Sequence, residues 1–243
     1  MTAELMLYAL IAAGLIFWLR SILGTRDQDE PERPIPNLEL SEDGKIVGVG
    51  GESGEQSEQR LAMIDELAQN DKGSMAIADS NVQDQLIELA KADRSFEIYK
   101  FLQATQDVFV YVVESYADGD RETLSNLLSP QVYDAFDKAI EMREQAGEIM
   151  QTEIMAVQKS EIIEACLDGK TAYVTVRFWA DETTVTKDAD GEITSGHPEK
   201  TTQMRDVWTF SRDIKARDPR WLVVETREDG AQDNETIPNT HEA

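Results

Sequence analysis

Residues Leu5 to Leu19 run for fifteen positions without a charged side chain. Counted on to Leu23, the apolar stretch is 19 residues. That is about 28 Å of helix at ~1.5 Å per residue, close to the ~30 Å hydrocarbon core of a bilayer. Arg20 lies one turn from its end, where the stem stays in lipid and the guanidinium reaches the interface. Tyr8 and Trp18 are placed as interfacial anchors. A cleaved signal peptide needs a basic leading region and a small-residue cleavage site. Here Glu4 precedes the run, with no Lys or Arg, and Ser21-Ile22-Leu23-Gly24-Thr25 follows it. Residues 1–23 are therefore expected to be an uncleaved transmembrane anchor, with Leu5, Leu10, Leu15, Trp18 and Arg20 as its characteristic side chains. Arg20 and Arg26 flank its C-terminal side only, so the positive-inside rule places the remainder of the chain in the cytoplasm.

The remainder is acidic. The chain has 243 residues and a formal net charge of −25. Residues 24–89 contribute −11, residues 90–228 contribute −10 and residues 229–243 contribute −4. A phosphate-binding surface needs the opposite sign, which argues against nucleic acid as a partner. One cysteine, Cys166, excludes an intrachain disulfide, and two histidines leave no Cys/His metal cluster. Pro31, Pro34 and Pro36 block helix formation, and Gly44, Gly48, Gly50, Gly51 and Gly54 favour flexible coil. Residues 24–81 are thus expected to be an acidic linker. Within it, Leu61, Ile64, Leu67 and Ala68 share one face of a short amphipathic helix over 60–69. That helix is too short to persist alone, and docking on the folded domain is its favoured fate. Gly48 and Gly50 start a dinucleotide-binding loop only superficially, because the third glycine position is Ser53. Residues 229–243 are expected to be a disordered acidic tail.

From Phe96 the apolar positions recur at three-and-four spacing through Tyr99, Leu102, Phe109, Val112, Val113 and Tyr116, which predicts a long amphipathic helix ending at Asp118-Gly119-Asp120. A short helix over 123–128 follows. Ser129 then caps a helix whose first position is Pro130, with Val132, Tyr133, Phe136 and Ile140 inward and Gly147 at its C-terminal end. The period then changes to two. Strands are predicted over 152–167, 172–179, 203–214 and 221–227, with turns at Asp168-Gly169 and Asp188 to Gly191. Helices followed by an antiparallel meander define an α+β domain, expected over residues 82–228.

Phe96, Phe101-Leu102, Phe109, Gly119-Asp120, Leu124, Leu127-Leu128-Ser129, Val132-Tyr133, Phe136, Ala139-Ile140, Arg143 and Gly147 occur in a familiar order. Trp208, Phe210, Arg212, Pro219, Trp221 and Leu222 close it. This set resembles the TIM-forty-four-like domain family over about residues 92–228. That family includes the mitochondrial inner-membrane adaptor that ties the import-motor chaperone to the translocase, and membrane-anchored bacterial relatives. The resemblance implies a nuclear-transport-factor-two-like cone, with N-terminal helices packed on a four-stranded antiparallel sheet around an apolar pocket. The chaperone-docking segment of the mitochondrial relatives lies before this domain and has no residue match in the acidic linker.

No catalytic, cofactor or metal residues are expected. His197 lies in the polar stretch Thr194 to Lys200, where a solvated loop is the simpler reading than a general base. Asp188, Asp190 and Glu192 depart from the spacing of a calcium loop and read as a hairpin tip. Cys166, in a strand between Ala165 and Leu167, is expected to be a buried thiol. Two features suggest binding. Residues 205–220 carry Arg205, Arg212, Lys215, Arg217 and Arg220 against three aspartates, a local net of +2 in an acidic chain. They are the candidate contacts for acidic lipid or a partner. If Val174, Val176 and Phe178 face the helices, Tyr173 and Trp179 point to the opposite face. The expected function is a non-enzymatic, membrane-tethered adaptor at a bacterial inner membrane, recruiting a protein partner such as a chaperone or translocation component. The alternative is a lipid- or small-molecule-binding domain that uses an apolar pocket.

Overall fold

The computed structural model describes residues 54–70, 73–216, 218 and 220–229. The expected anchor, with Leu5, Leu10, Leu15, Trp18 and Arg20, lies outside the described residues, as do residues 24–53 and 230–243, Arg217 and Pro219. No helix among the described residues is long and apolar enough to cross a membrane.

Among the described residues, five helices and six strands follow one another as α1 (Gly54–Gln69), β1 (Met75–Ile77), α2 (Ser80–Ala92), α3 (Ile98–Asp118), α4 (Arg121–Leu127), α5 (Pro130–Gln145), β2 (Ile149–Asp168), β3 (Thr171–Lys187), β4 (Ile193–Gly196), β5 (Thr202–Asp213) and β6 (Leu222–Glu228). Local chemistry sets most boundaries. Asp79 caps α2 by accepting from the Val82 amide at 3.0 Å, and Asp120 caps α4 by accepting from the Thr123 amide at 3.1 Å. Ser129 caps α5, with Pro130 at its first position. Gly119 ends α3 at φ 73°, a left-handed conformation that L side chains rarely adopt. Two arginines satisfy carbonyls that helix ends leave open. Arg60 of α1 donates to Ala90 and Asp93 at the end of α2 (3.0 and 3.2 Å). Arg143 of α5 donates to Tyr116 and Ala117 at the end of α3, both at 2.8 Å.

The strands form one sheet in the order β1-β2-β3-β5-β6, with β4 paired to β3. Four expected antiparallel strands become six, and one edge pair is parallel: Met75 to Ile77 of β1 align with Ser160 to Ile162 of β2. Three residues carry no readable period, and their partner lies more than eighty positions away. The sequence around β1 therefore reads as coil until β2 is in place. Strand β4 is exposed throughout and has no apolar face to betray it. Its end requires glycine, because a Cβ on Gly196 would collide with the Thr184 carbonyl oxygen. The expected linker also ends sooner than residue 81. From Gly54 the chain is helical, and Ile64 and Leu67 are each 1% exposed within the common core.

The helices cover one face of the sheet. Ala172, Val174, Val176, Phe178 and Ala180 of β3 alternate inward and are fully buried. Phe109 of α3 stacks on Phe178 with ring centroids 4.6 Å apart and lies 4.9 Å from the Trp208 ring of β5. Offset aromatic pairs of this kind contribute about 0.5–1.5 kcal/mol beyond the area they bury. Strand β2 is bulged between Ile154 and Ala156, Val157 and Lys159, and Ile162 and Glu164. Each bulge shifts the inward phase by one residue. After the last of them Ala165 is buried and Cys166 is exposed, which corrects the expectation of a buried thiol. The Cys166 thiol is nevertheless held above its ordinary pKa, first by partial burial and then by Glu164 and Asp168. Phe109→Ala is expected to lower unfolding free energy by about 3–5 kcal/mol in urea titration, whereas Met142→Ala, at a side chain 70% exposed, should change it by less than about 0.5 kcal/mol.

Candidate functional site

Between α3, α4 and the turn entering β6 lies an apolar cleft of about 250 Å³. Phe101, Ala104, Thr105 and Val108 supply its α3 wall because they repeat at helical spacing. Asn126 and Leu127 come from α4, Phe210 from β5, and Arg220 and Trp221 from the segment entering β6. The Thr105 hydroxyl donates to the Leu102 carbonyl at 2.9 Å, so it offers the cleft a methyl group. The aromatic walls brace one another: Phe101 lies 4.8 Å from Trp221 and 6.0 Å from Phe210 between ring centroids. Arg220 is the cation of the lining. It is exposed and ion-paired with Asp218 at 2.7 Å. The cleft thus combines an apolar interior with an ion-paired arginine at its rim, which suits an apolar side chain or an acyl chain.

The wall formed by Trp221 is held from behind. Arg212 sits over the Trp221 ring at 4.8 Å and is ion-paired with Asp93 in the α2–α3 loop. Both side chains are buried, at 8% and 4% exposure. Asp93 also accepts from the Ser95 amide (2.9 Å) and hydroxyl (2.7 Å). Arg212 is therefore a structural cation and cannot present its charge to lipid or a partner, a correction to its expected role.

The other expected hairpin contacts do not form one patch. Arg205 and Arg212 are seven residues apart on one strand, an odd interval that places them on opposite faces about 23 Å apart at ~3.3 Å per residue. Arg205 is exposed on the outer face and pairs with Asp229 at 3.2 Å. Lys215 is exposed in the turn after β5, and Arg220 lies at the cleft rim. Parity alone would have separated Arg205 from Arg212. The cleft had no such signal, because its lining comes from four separate segments. Trp179 does point away from the helices, as alternation with Phe178 requires, and basic side chains of the same sheet face surround it.

His197 is exposed, and its Nδ1 accepts from the Glu199 amide at 3.1 Å. Among the described residues no group of three or more His, Cys, Asp or Glu side chains is arranged to hold a metal ion. One buried acid stands out. Asp206, 7% exposed, is pushed up to about 7 from 3.8, chiefly by burial and then by Glu182, Glu228 and Asp229. The Trp208 Nε1 donor at 3.3 Å opposes that shift.

A six-stranded sheet with helices covering one face defines a domain of the α+β class. The sequence pattern of the Tim44-like domain matches residues 82–228, and the chain belongs to that family. It is 21% identical over 157 residues to the probable mitochondrial import inner membrane translocase subunit tin-44 of Caenorhabditis elegans, covering 63% of this chain and 37% of that protein. It is 22% identical over 149 residues to the mitochondrial import inner membrane translocase subunit TIM44 of Rattus norvegicus, covering 60% of this chain and 33% of that protein. The chain thus matches only about a third of the length of these relatives. The intermembrane space region of chloroplast protein ARC6 superposes with a TM-score of 0.37 at 14% identity, over 52% of this chain and 95% of that one, too loosely to bear on fold or function.

Arg212→Ala is expected to cost about 3–5 kcal/mol, because it strands the buried Asp93 carboxylate, while Arg205→Ala at an exposed pair should cost at most about 1 kcal/mol. Chemical denaturation of the two variants side by side checks the contrast. For Asp206 the folded-state pKa lies above the unfolded value, so the fold binds more protons between the two. Stability from this group is complete below about 4 and is lost as pH rises through about 7, at up to about 1.4 kcal/mol per pH unit. Asp206→Asn should flatten the pH dependence of the melting temperature and raise it at pH 8.

Proposed function

We propose that this chain is a membrane-tethered adaptor that holds its Tim44-like domain beside a bacterial inner membrane and recruits a protein partner there. The observation that carries this reading is the match to the Tim44-like domain over residues 82–228 in a chain that also contains the uncharged run Leu5–Leu19. The relatives it resembles are mitochondrial import inner membrane translocase subunits, which supports a partner in protein translocation. The mechanism is tethering: an anchor and an acidic linker raise the domain's local concentration at the bilayer without adding a contact. No step of catalysis is assigned to it. The bulged β2 strand is consistent with a sheet curved into a nuclear-transport-factor-two-like cone.

One observation favours a second reading, binding of a lipid or small amphiphile: the apolar cleft with Arg220 at its rim. A photo-crosslinking residue placed at Leu127 in the full chain, irradiated in native membranes, distinguishes the two. The adaptor reading expects a discrete protein adduct that is lost when Trp221→Glu closes the cleft to apolar groups. Adducts confined to lipid would transfer the site to the second reading. Deletion of residues 1–23 should release the protein from washed membranes, and continued sedimentation with them would sink the tether.

A further inference from the structure

Strand β2 pairs with β3 along its whole length on one side, while β1 covers its other side only at Ser160 to Ile162. Between Ile149 and Gln158 no strand among the described residues pairs with that second side. The Ile154 amide points to it, donating to the Glu114 carboxylate of α3 at 3.2 Å. In an antiparallel strand the N–H and C=O of one residue face the same side, and alternate residues share a side. Met150 and Thr152 therefore turn their backbone groups to the same edge as Ile154. The first bulge of β2 begins after Ile154, so these three keep regular spacing.

A bare edge is a template for another strand, and proteins commonly blunt it with Lys, Pro or a covering segment. Residues 149–158 contain no Lys, Arg or Pro, and Glu153 is their one charge. Two copies of a chain whose net charge is −25 can approach there with little mutual repulsion. The exposed side chains alternate as Ile149, Gln151, Glu153 and Met155. Ile149 is 60% and Met155 57% exposed, which is unusual for large apolar groups on a strand. Tyr111, one helical turn before Glu114 on α3, is exposed as well.

The segment Ile149-Met150-Gln151-Thr152-Glu153-Ile154-Met155 is self-complementary about its centre. Antiparallel pairing of two copies across a two-fold axis at Thr152 sets Ile149 opposite Met155, Met150 opposite Ile154 and Gln151 opposite Glu153. Apolar meets apolar at every such position, and the carboxylate meets an amide. The Gln151 Oε1 accepts from the Lys187 amine at 3.3 Å, so its amide nitrogen is turned to the Glu153 carboxylate of the second copy with a cation behind it. Met150, Thr152 and Ile154 supply the hydrogen-bonded pairs, each exchanging two N–H···O bonds. Glu114 then yields the Ile154 amide to the Met150 carbonyl of the second copy.

We propose that the β2 edge from Ile149 to Met155 is a self-association surface, on which a second copy of this chain adds its own β2 in antiparallel register about Thr152. The interface is isologous, and the two sheets join into one. Seven residues a side is fewer than the roughly 20–30 of a standard interface, so a dissociation constant in the micromolar range is expected.

Sedimentation equilibrium of the full chain in detergent micelles, over a micromolar concentration series, tests this. The native chain should pass from monomer to dimer. Ile149→Lys with Met155→Lys sets two like-charge pairs across the axis and should weaken dimerisation at least about ten-fold. Ile149→Lys with Met155→Glu sets opposite charges at the same positions and should restore it. Both sites are exposed, so the melting temperature should not move in either variant. If either fails to fold, crosslinking gives the register directly. Gln151 and Glu153 form a pair without hydrogen bonds, with Cα atoms about 4.5 Å apart, within disulfide reach. In a Cys166→Ser background, Gln151→Cys and Glu153→Cys chains should crosslink when mixed and not when oxidised separately. A native chain that stays monomeric overturns the proposal, even if the edge takes up an extended peptide. So does a dimer indifferent to the paired lysines, which would place the contact elsewhere, or a Lys/Glu variant no better than Lys/Lys, or crosslinking that mixing does not improve.

Discussion

The buried ion pair between Asp93 and Arg212 joins the two halves of the domain. Asp93 follows α2, and Arg212 stands near the end of β5, so the pair ties the helical N-terminal half to the C-terminal hairpin. Removing two charges from water is costly, and the cost is offset only where further hydrogen bonds complete the site. Ser95 supplies those bonds to Asp93, and the Trp221 ring covers Arg212. Once the pair is made, Trp221 is fixed against Phe96 and Phe101, and the cleft has its wall. An electrostatic contact between distant segments thus determines where an apolar surface remains open.

Around this tie the aromatic residues divide the work. Phe109, Phe178 and Trp208 fill the space between α3 and the sheet completely, and they define a solid core. Phe101, Phe210 and Trp221 stand further along the same layer, where the covering helices leave about 250 Å³ unfilled. The outer face follows a different rule. There Trp179 is covered by the stems and charges of Lys159, Arg177 and Arg205, which shield the indole while remaining wet themselves. The two faces of one sheet therefore differ in chemistry: an apolar cleft with an ion-paired arginine at its rim on the inner side, and an indole ringed by ion-paired basic side chains on the outer.

Legibility in the sequence followed the range of the interactions. The stop at Gly119, the cap at Ser129 with Pro130 and the inward stripe Val132, Phe136 and Ile140 were all readable, because each depends on neighbours within one or two helical turns. The β2–β3 hairpin was readable for the same reason, with its turn at Asp168-Gly169 and its alternating strand. Strand β1 was not, since Met75 to Ile77 become a strand only when Ser160 to Ile162 are beside them. Nor was the exposure of Cys166, which depends on a bulge that no local pattern announces. The basic residues near the final hairpin looked like one patch in the sequence, and the structure separates them by face, burial and partner.

What the sequence determined by itself was the helices from Phe96 to Gly147 with their inward residues, the four longer strands, the family and the sharp partition of charge along the chain. These rest on short-range periodicity, capping and composition, which are fixed before the chain folds. Only the tertiary structure decided which charges remain available. Arg212 is withdrawn into the core by Asp93, Arg205 is shared between Trp179 and Asp229, and Arg220 is left at the rim of the cleft. The reason is physical: a charge takes its role from the groups brought beside it and from the water taken away, and both are set by residues far off in the chain.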